Sequence, residues 1–152
     1  MENTKRVRAR AIIFDGEKLV SMYRERDGRI FYTFPGGGVE ANETLTDCVK
    51  REVLEEFGLI VEPLKQAYIY DSSNSDEHFF ICKWIGGEFG SGKGEEFSKT
   101  QTNGIYKPTF INIKDIPTLP LMPPEIAKQL LQDYEQNGKE LCDNIKTLYR
   151  QD

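Results

Sequence analysis

Residues 37–59 read G-G-V-E-A-N-E-T-L-T-D-C-V-K-R-E-V-L-E-E-F-G-L and carry five glutamates: Glu40, Glu43, Glu52, Glu55 and Glu56. Thr44 with Asp47 three residues on is a capping-box start, and Gly58 is the residue type that closes a helix. On a wheel of about 100° per residue with Leu45 at zero, Glu52 falls near 340°, Glu56 near 20° and Glu55 near 280°. Cys48 and Val49 fall at about 300° and 40° on the same wheel, so two carboxylates share the apolar arc and Glu55 borders it. A charge run usually marks a solvated face. Here the charge sits beside an apolar stripe, where it is costly without a partner. Glu52 also forms like-charge pairs with Glu55 and Glu56 at i,i+3 and i,i+4. Arg51 is expected to relieve one of them. A hard divalent cation relieves all three carboxylates, and clustered carboxylate oxygens suit Mg²⁺, Mn²⁺ or Ca²⁺.

Phe34-Pro35-Gly36-Gly37-Gly38 precedes this helix with no side chains to obstruct close approach. Such a loop can offer carbonyls to a metal or N–H groups to a phosphate. It is neither G-x-G-x-x-G nor a Walker A loop. Taken alone it reads equally well as a strand-to-helix turn; joined to the carboxylate helix it reads as a metal–phosphate cradle.

Composition removes several alternatives. A chain of 152 residues, 38% hydrophobic and 30% charged, is expected to form one globular domain, 1–152. The net charge of −5 argues against nucleic acid or an anionic membrane as a partner held by bulk charge. His78 is the only histidine, which excludes sites needing two imidazoles. Cys48, Cys82 and Cys142 are odd in number with no C-x-x-C spacing, so they read as reduced thiols. No secretory h-region follows the N-terminus and no run approaches the ~18 apolar residues of a membrane span. A soluble, cytoplasmic protein is expected.

Along the chain, residues 6–14 predict a strand, Asp15-Gly16 a turn, and residues 18–24 the return strand of a hairpin. Residues 30–34 predict a short aromatic strand. Strands are expected at 60–70 and 78–85 around a polar turn at 71–77, with a last strand at 106–113. Residues 86–104 carry six glycines and predict a long functional or mobile loop. Pro123-Pro124 predicts a helix to about Gln136, and Gly138 a break before a second helical stretch to Tyr149. Strands mixed with three helical segments predict an α/β or α+β sandwich.

Residues 37–59 resemble the 23-residue signature of the Nudix hydrolases at nine specified positions. These are Gly37, Glu43, Arg51, Glu52, apolar Val53, Glu55, Glu56, Gly58 and apolar Leu59. The signature spans about a seventh of the chain, and Asn42 stands where many members carry Gly. The resemblance implies an α/β/α sandwich with a mixed central sheet, and hydrolysis of a nucleoside diphosphate linked to some moiety X. It implies that Glu52, Glu55 and Glu56 hold Mg²⁺ or Mn²⁺ with a loop carbonyl, that of Gly36. Arg51 would orient a glutamate, and Glu43 would brace the loop formed with Gly37 and Gly38. The general base would be Glu55 or an acid from the later loop, where Glu88, Glu95 and Glu96 are candidates and Glu96, beside Phe97, is favoured. His78, flanked by Phe79 and Phe80, reads as structural.

Markers of the ADP-ribose, diadenosine-polyphosphate and coenzyme A branches are missing; the ADP-ribose proline would fall near Ser75. Elimination leaves a common or oxidised nucleoside triphosphate as the expected substrate. Alternatives are a non-catalytic nucleotide sensor and an RNA 5′-pyrophosphohydrolase. Arg8, Arg10 and Arg24 can meet phosphate, and Tyr32, Phe34, Tyr106 and Phe110 can stack on a base. Solvent-facing strand positions explain the arginines equally well, and the aromatic residues are more often core. A homodimer stays open.

Overall fold

The computed structural model describes residues 5–92 and 104–151. Strands β1 (Arg6–Asp15) and β2 (Lys18–Arg26) form the expected hairpin across Gly16-Glu17, but they pair only at Phe14↔Leu19 and Asp15↔Lys18. Beyond those pairs they separate, and each seeds its own sheet. β1 runs parallel to β6 (Ser75–Gly87) and antiparallel to the three-residue strand β4 (Gly36–Gly38). β6 pairs antiparallel with β5 (Leu59–Asp71), whose outer edge holds β9 (Lys146–Tyr149) in parallel. β2 pairs antiparallel with β3 (Arg29–Thr33) and with β7 (Ile105–Asn112), and β3 carries the two-residue strand β8 (Leu121–Met122) in parallel.

Helix α1 (Leu45–Phe57) and helix α2 (Pro124–Asn137) complete a mixed α/β/α arrangement, with a separate core under each helix. Strand alternation sorts side chains between the two cores. Ile12 and Phe79 face the core under α2, while Ala11, Ile13 and Phe80 face the one under α1. Both faces of β1 are therefore covered, which accounts for its continuous apolar run. Phe34 and Phe79 meet edge-to-face at 5.2 Å in the α2 core. Under α1 the buried stripe is Cys48, Val49, Val53 and Phe57.

The caps of α1 follow the sequence. The Thr44 side chain accepts the Asp47 N–H at 3.1 Å, and Gly58 at φ 76° donates its N–H to the Leu54 carbonyl. Two expectations are corrected. The segment after Gly138 is not helical: residues Gly138–Glu140 form one 3-10 turn, and 146–149 form β9, because the free edge of β5 offers a ladder that Leu148 can join from the core side. β7 is not the last strand, since a 3-10 turn at Ile113–Thr118 leads to β8. The expected 86–104 loop begins one residue later than Gly87, with Phe89 stacked on Phe110 at 4.3 Å. Glu95 and Glu96 lie outside the described residues.

Candidate active site

The glycine strand β4 and the C-terminal half of α1 meet through contacts that only glycine permits. A Cβ on Gly37 would stand 2.6 Å from the Glu52 Oε2 atom, and one on Gly36, at φ 139°, would strike the Ala9 carbonyl. The Gly36 N–H donates to Glu56 Oε1 at 3.1 Å. On its other side, Arg10 Nη1 donates to the Gly36 and Phe34 carbonyls at 3.2 Å each, while Arg10 Nε donates to Glu77 at 3.0 Å. The loop is thus clamped between a carboxylate of α1 and a guanidinium of β1.

Arg51 is the hub of the helix side. It donates to both oxygens of Glu43 at 2.8 and 3.0 Å, to the Gly38 carbonyl at 3.1 Å, to Glu52 Oε2 at 3.1 Å and to Glu55 Oε1 at 3.4 Å. Arg51 thus bonds both members of one of the two like-charge pairs, Glu52 and Glu55, because its fork presents donors on several edges. The fork holds the Glu43 carboxyl down to about 2, helped by the Glu40 N–H. Glu43 raises Arg51 in return, against burial, which lowers it. The Glu40 N–H also donates to Glu43 at 3.0 Å, so Glu43 ties the loop to the helix.

A cavity of about 270 Å³ opens between these parts, lined by Gly36, Gly37, Glu52 and Glu56 together with Arg8, Arg10, Arg24 and Tyr106. Arg8 and Arg10 share a strand face, opposite Gly38 and Gly36 of β4, so no side chain intervenes there. Arg24 lies flat on Tyr106, with Cζ 3.6 Å from the ring centre and 5.2 Å from that of Phe31. Its Nε and Nη2 are buried and have no hydrogen-bond partner among the described residues. Burial lowers both Arg8 and Arg24 from their usual values, yet a guanidinium stays charged in either place. Buried donors of this kind are normally matched by an acceptor, and none of the described residues supplies one.

The remaining candidates sit elsewhere. The Glu55 side chain is 51% exposed and is not among the residues that line the cavity. Tyr32 packs edge-on to Tyr23 and against the α2 core, not in the cavity. His78 Nδ1 accepts from Gln66 at 2.8 Å, and burial lowers its pKa despite Asp76; it lines neither this cavity nor its neighbour. A larger cavity of about 990 Å³, lined by Phe14, Lys83 and Trp84 among others, shares no residue with the glutamate–glycine site. The loop clamp of Arg10 was not anticipated, because its partners Phe34, Gly36 and Glu77 lie far from it in the sequence.

Among the described residues no three carboxylate, imidazole or thiol groups stand close enough to enclose a cation. Two carboxylates, Glu52 and Glu56, do share the cavity wall with bare glycine backbone. An all-oxygen donor set of this kind suits a hard divalent cation. The Gly36 carbonyl, expected as a further ligand, already accepts from Arg10 and keeps its second lone pair.

A family model described as the NUDIX domain matches residues 4–132. The NAD-capped RNA hydrolase NudC of Chromobacterium violaceum is 32% identical over 119 residues, covering 77% of this chain and 38% of that protein. The 8-oxo-dGTP diphosphatase of Buchnera aphidicola is 35% identical over 75 residues, 46% of this chain and 60% of that one. The matched region thus spans between 38 and 60% of the length of these relatives. Among solved structures, an ADP-ribose pyrophosphatase from Streptococcus suis aligns with a TM-score of 0.62 and 26% identity, over 97% of this chain and 100% of that one. A NUDIX hydrolase from Nitrosomonas europaea reaches a TM-score of 0.74 at 17% identity, over 99% and 82% of the two chains, a likeness of fold. With the family model covering most of its length and the glutamate–glycine site intact, this chain belongs to the NUDIX domain family.

Proposed function

We propose that this chain, acting as one domain, hydrolyses a pyrophosphate bond in a nucleoside diphosphate linked to a moiety X, with Mg²⁺ or Mn²⁺. The observation that carries the reading is the cavity that Arg8, Arg10 and Arg24 line together with Glu52, Glu56 and bare glycine backbone. Guanidinium forks match phosphate oxygens, and paired carboxylates serve the cation that phosphoryl chemistry needs. The named relatives act on NAD-capped RNA, 8-oxo-dGTP and ADP-ribose, which share a pyrophosphate joined to a nucleoside.

In this reading Glu52 and Glu56, with Glu55 from the same helical turn, hold the cation against the glycine loop. When bound, the cation screens the pyrophosphate oxygens and lowers the pKa of a coordinated water. Arg24, stacked on Tyr106, offers its two unmatched donors to a phosphate oxygen. Arg51 orients Glu52. In this reading Glu55, with a side chain 51% exposed, takes the proton of the attacking water. A nucleoside triphosphate, common or oxidised, is the first substrate to try.

The test is release of phosphate and pyrophosphate from a panel of nucleoside triphosphates, ADP-ribose, dinucleoside polyphosphates and nucleotide sugars, with Mg²⁺ or Mn²⁺. The expected result is metal-dependent turnover of one class, reduced at least ~10²-fold in Glu56→Gln. Turnover of none, with nucleotide binding intact, would leave a sensor. Turnover of a triphosphorylated RNA alone would move the substrate to RNA 5′ ends.

A further inference from the structure

The cavity that holds Glu52 and Glu56 is lined by more positive than negative charge, because Arg8, Arg10 and Arg24 share it with those two carboxylates. A guanidinium does not shed its charge on burial as a lysine can. A divalent cation beside three of them meets repulsion, and each guanidinium is also a fork that fits a carboxylate as well as it fits a phosphate. A cation site in such company depends on what holds each arginine.

Arg24 is held by stacking, with Cζ 3.6 Å from the Tyr106 ring centre and 5.2 Å from that of Phe31. Arg10 is held by charge. Its Nε donates to Glu77 Oε1 at 3.0 Å, and the two side chains are only 18% and 16% exposed. With Nε so engaged, Nη1 donates to the Phe34 and Gly36 carbonyls at 3.2 Å each. Gly36 bonds Glu56 as well, through its N–H at 3.1 Å, so Arg10 and Glu56 meet the same residue of the loop. Glu77 is not among the residues that line the cavity. It stands opposite Arg8 in the parallel ladder of β6 on β1. Burial, then Arg10 and Arg6, lower the Arg8 pKa, and the charges of Glu77 and Glu52 oppose them.

With Glu77 replaced by a neutral residue, Arg10 keeps its full charge on a long stem, in a cavity whose carboxylates among the described residues are Glu52 and Glu56. A charge-assisted bond to one of them is then the strongest interaction the cavity offers it. Such a bond and a cation draw on the same oxygens. We propose that Glu77 is a positioning residue for the cation site: by holding Arg10 on the Phe34 and Gly36 carbonyls, it keeps that guanidinium from competing with the cation for Glu52 and Glu56. This rests on the pyrophosphohydrolase reading and adds what guards its cation site.

The experiment is titration of Mn²⁺ into the full chain, read by loss of the free-ion electron paramagnetic resonance signal, for the wild type, Glu77→Gln and the double variant Glu77→Gln with Arg10→Met. Glu77→Gln is expected to bind Mn²⁺ about tenfold more weakly, although the residue lies outside the cavity lining. Replacing Arg10 as well removes the competitor, and the affinity is expected to return to within about threefold of the wild type. That rescue separates positioning from a merely structural role, in which losing both members of the pair binds no better than losing one. Glu77→Thr, a residue type that strands favour, takes the place of Glu77→Gln should that variant fail to fold. Wild-type affinity in the Glu77 variant overturns this inference alone, and so does a loss that the second substitution leaves unrelieved. No Mn²⁺ binding by the wild type overturns the cation reading and this inference with it.

Discussion

At Gly37 the absence of a Cβ sets how closely the glycine loop approaches helix α1, because the Glu52 carboxylate fills the space a methyl group would need. Gly37→Ala is therefore expected to push Glu52 aside and cost turnover about tenfold or more, with little change in melting temperature. Steady-state kinetics beside a thermal melt checks this. Glu43 shows the same coupling through charge. Its folded pKa of about 2 lies below the ordinary 4.5, so its contribution is complete above about pH 4.5 and is lost as the pH falls toward 2. Glu43→Gln should cost about 1–2 kcal/mol at neutral pH, and its stability should fall less steeply than the wild type's between those pH values. Denaturant melts at a series of pH values measure the difference. The glutamates of α1 stood out in the sequence by their helical spacing and the glycines by their run before the helix, while the roles of Arg51 and Glu43 were implied by the resemblance. The stacking of Arg24 on Tyr106 was not, since it depends on the register of β2 against β7 across a long separation in the chain.

Among the elements, α1 is the most locally encoded: its cap, its apolar stripe and its glycine stop all lie within the segment itself. Thr44→Ala removes the acceptor for the Asp47 N–H and is expected to destabilise the protein by about 1 kcal/mol, read from chemical denaturation. β9 is the opposite case. Four residues carry too little pattern to announce a strand, and their conformation is decided by the edge of β5, more than 70 residues earlier. The hairpin of β1 and β2 falls between these. Its turn is written at Asp15-Gly16, while the early separation of the two strands follows from partners elsewhere in the chain.

For the molecule as a whole, two cores flank the sheet, and β1 contributes side chains to both. Phe79 is fully buried and packs on Phe34, at the foot of the glycine loop. Phe79→Ala should cost about 3–5 kcal/mol and loosen the loop with it. An α/β or α+β class was legible because strand and helix patterns occur together, and the resemblance implied the α/β/α layering, whereas the sheet order was not legible. The site inherits its geometry from both sheets: β1 and β4 supply the clamp, β2 and β7 the stacked guanidinium, and α1 the carboxylates. We propose that Glu52 and Glu56 with the glycine loop form a cation-binding cradle. Titration of Mn²⁺, followed by loss of the free-ion electron paramagnetic resonance signal, tests it without a substrate. Binding by the wild type is expected, with affinity at least about tenfold weaker in Glu52→Gln and Glu56→Gln and unchanged circular dichroism. Equal Mn²⁺ affinity in folded wild type and both variants would contradict it.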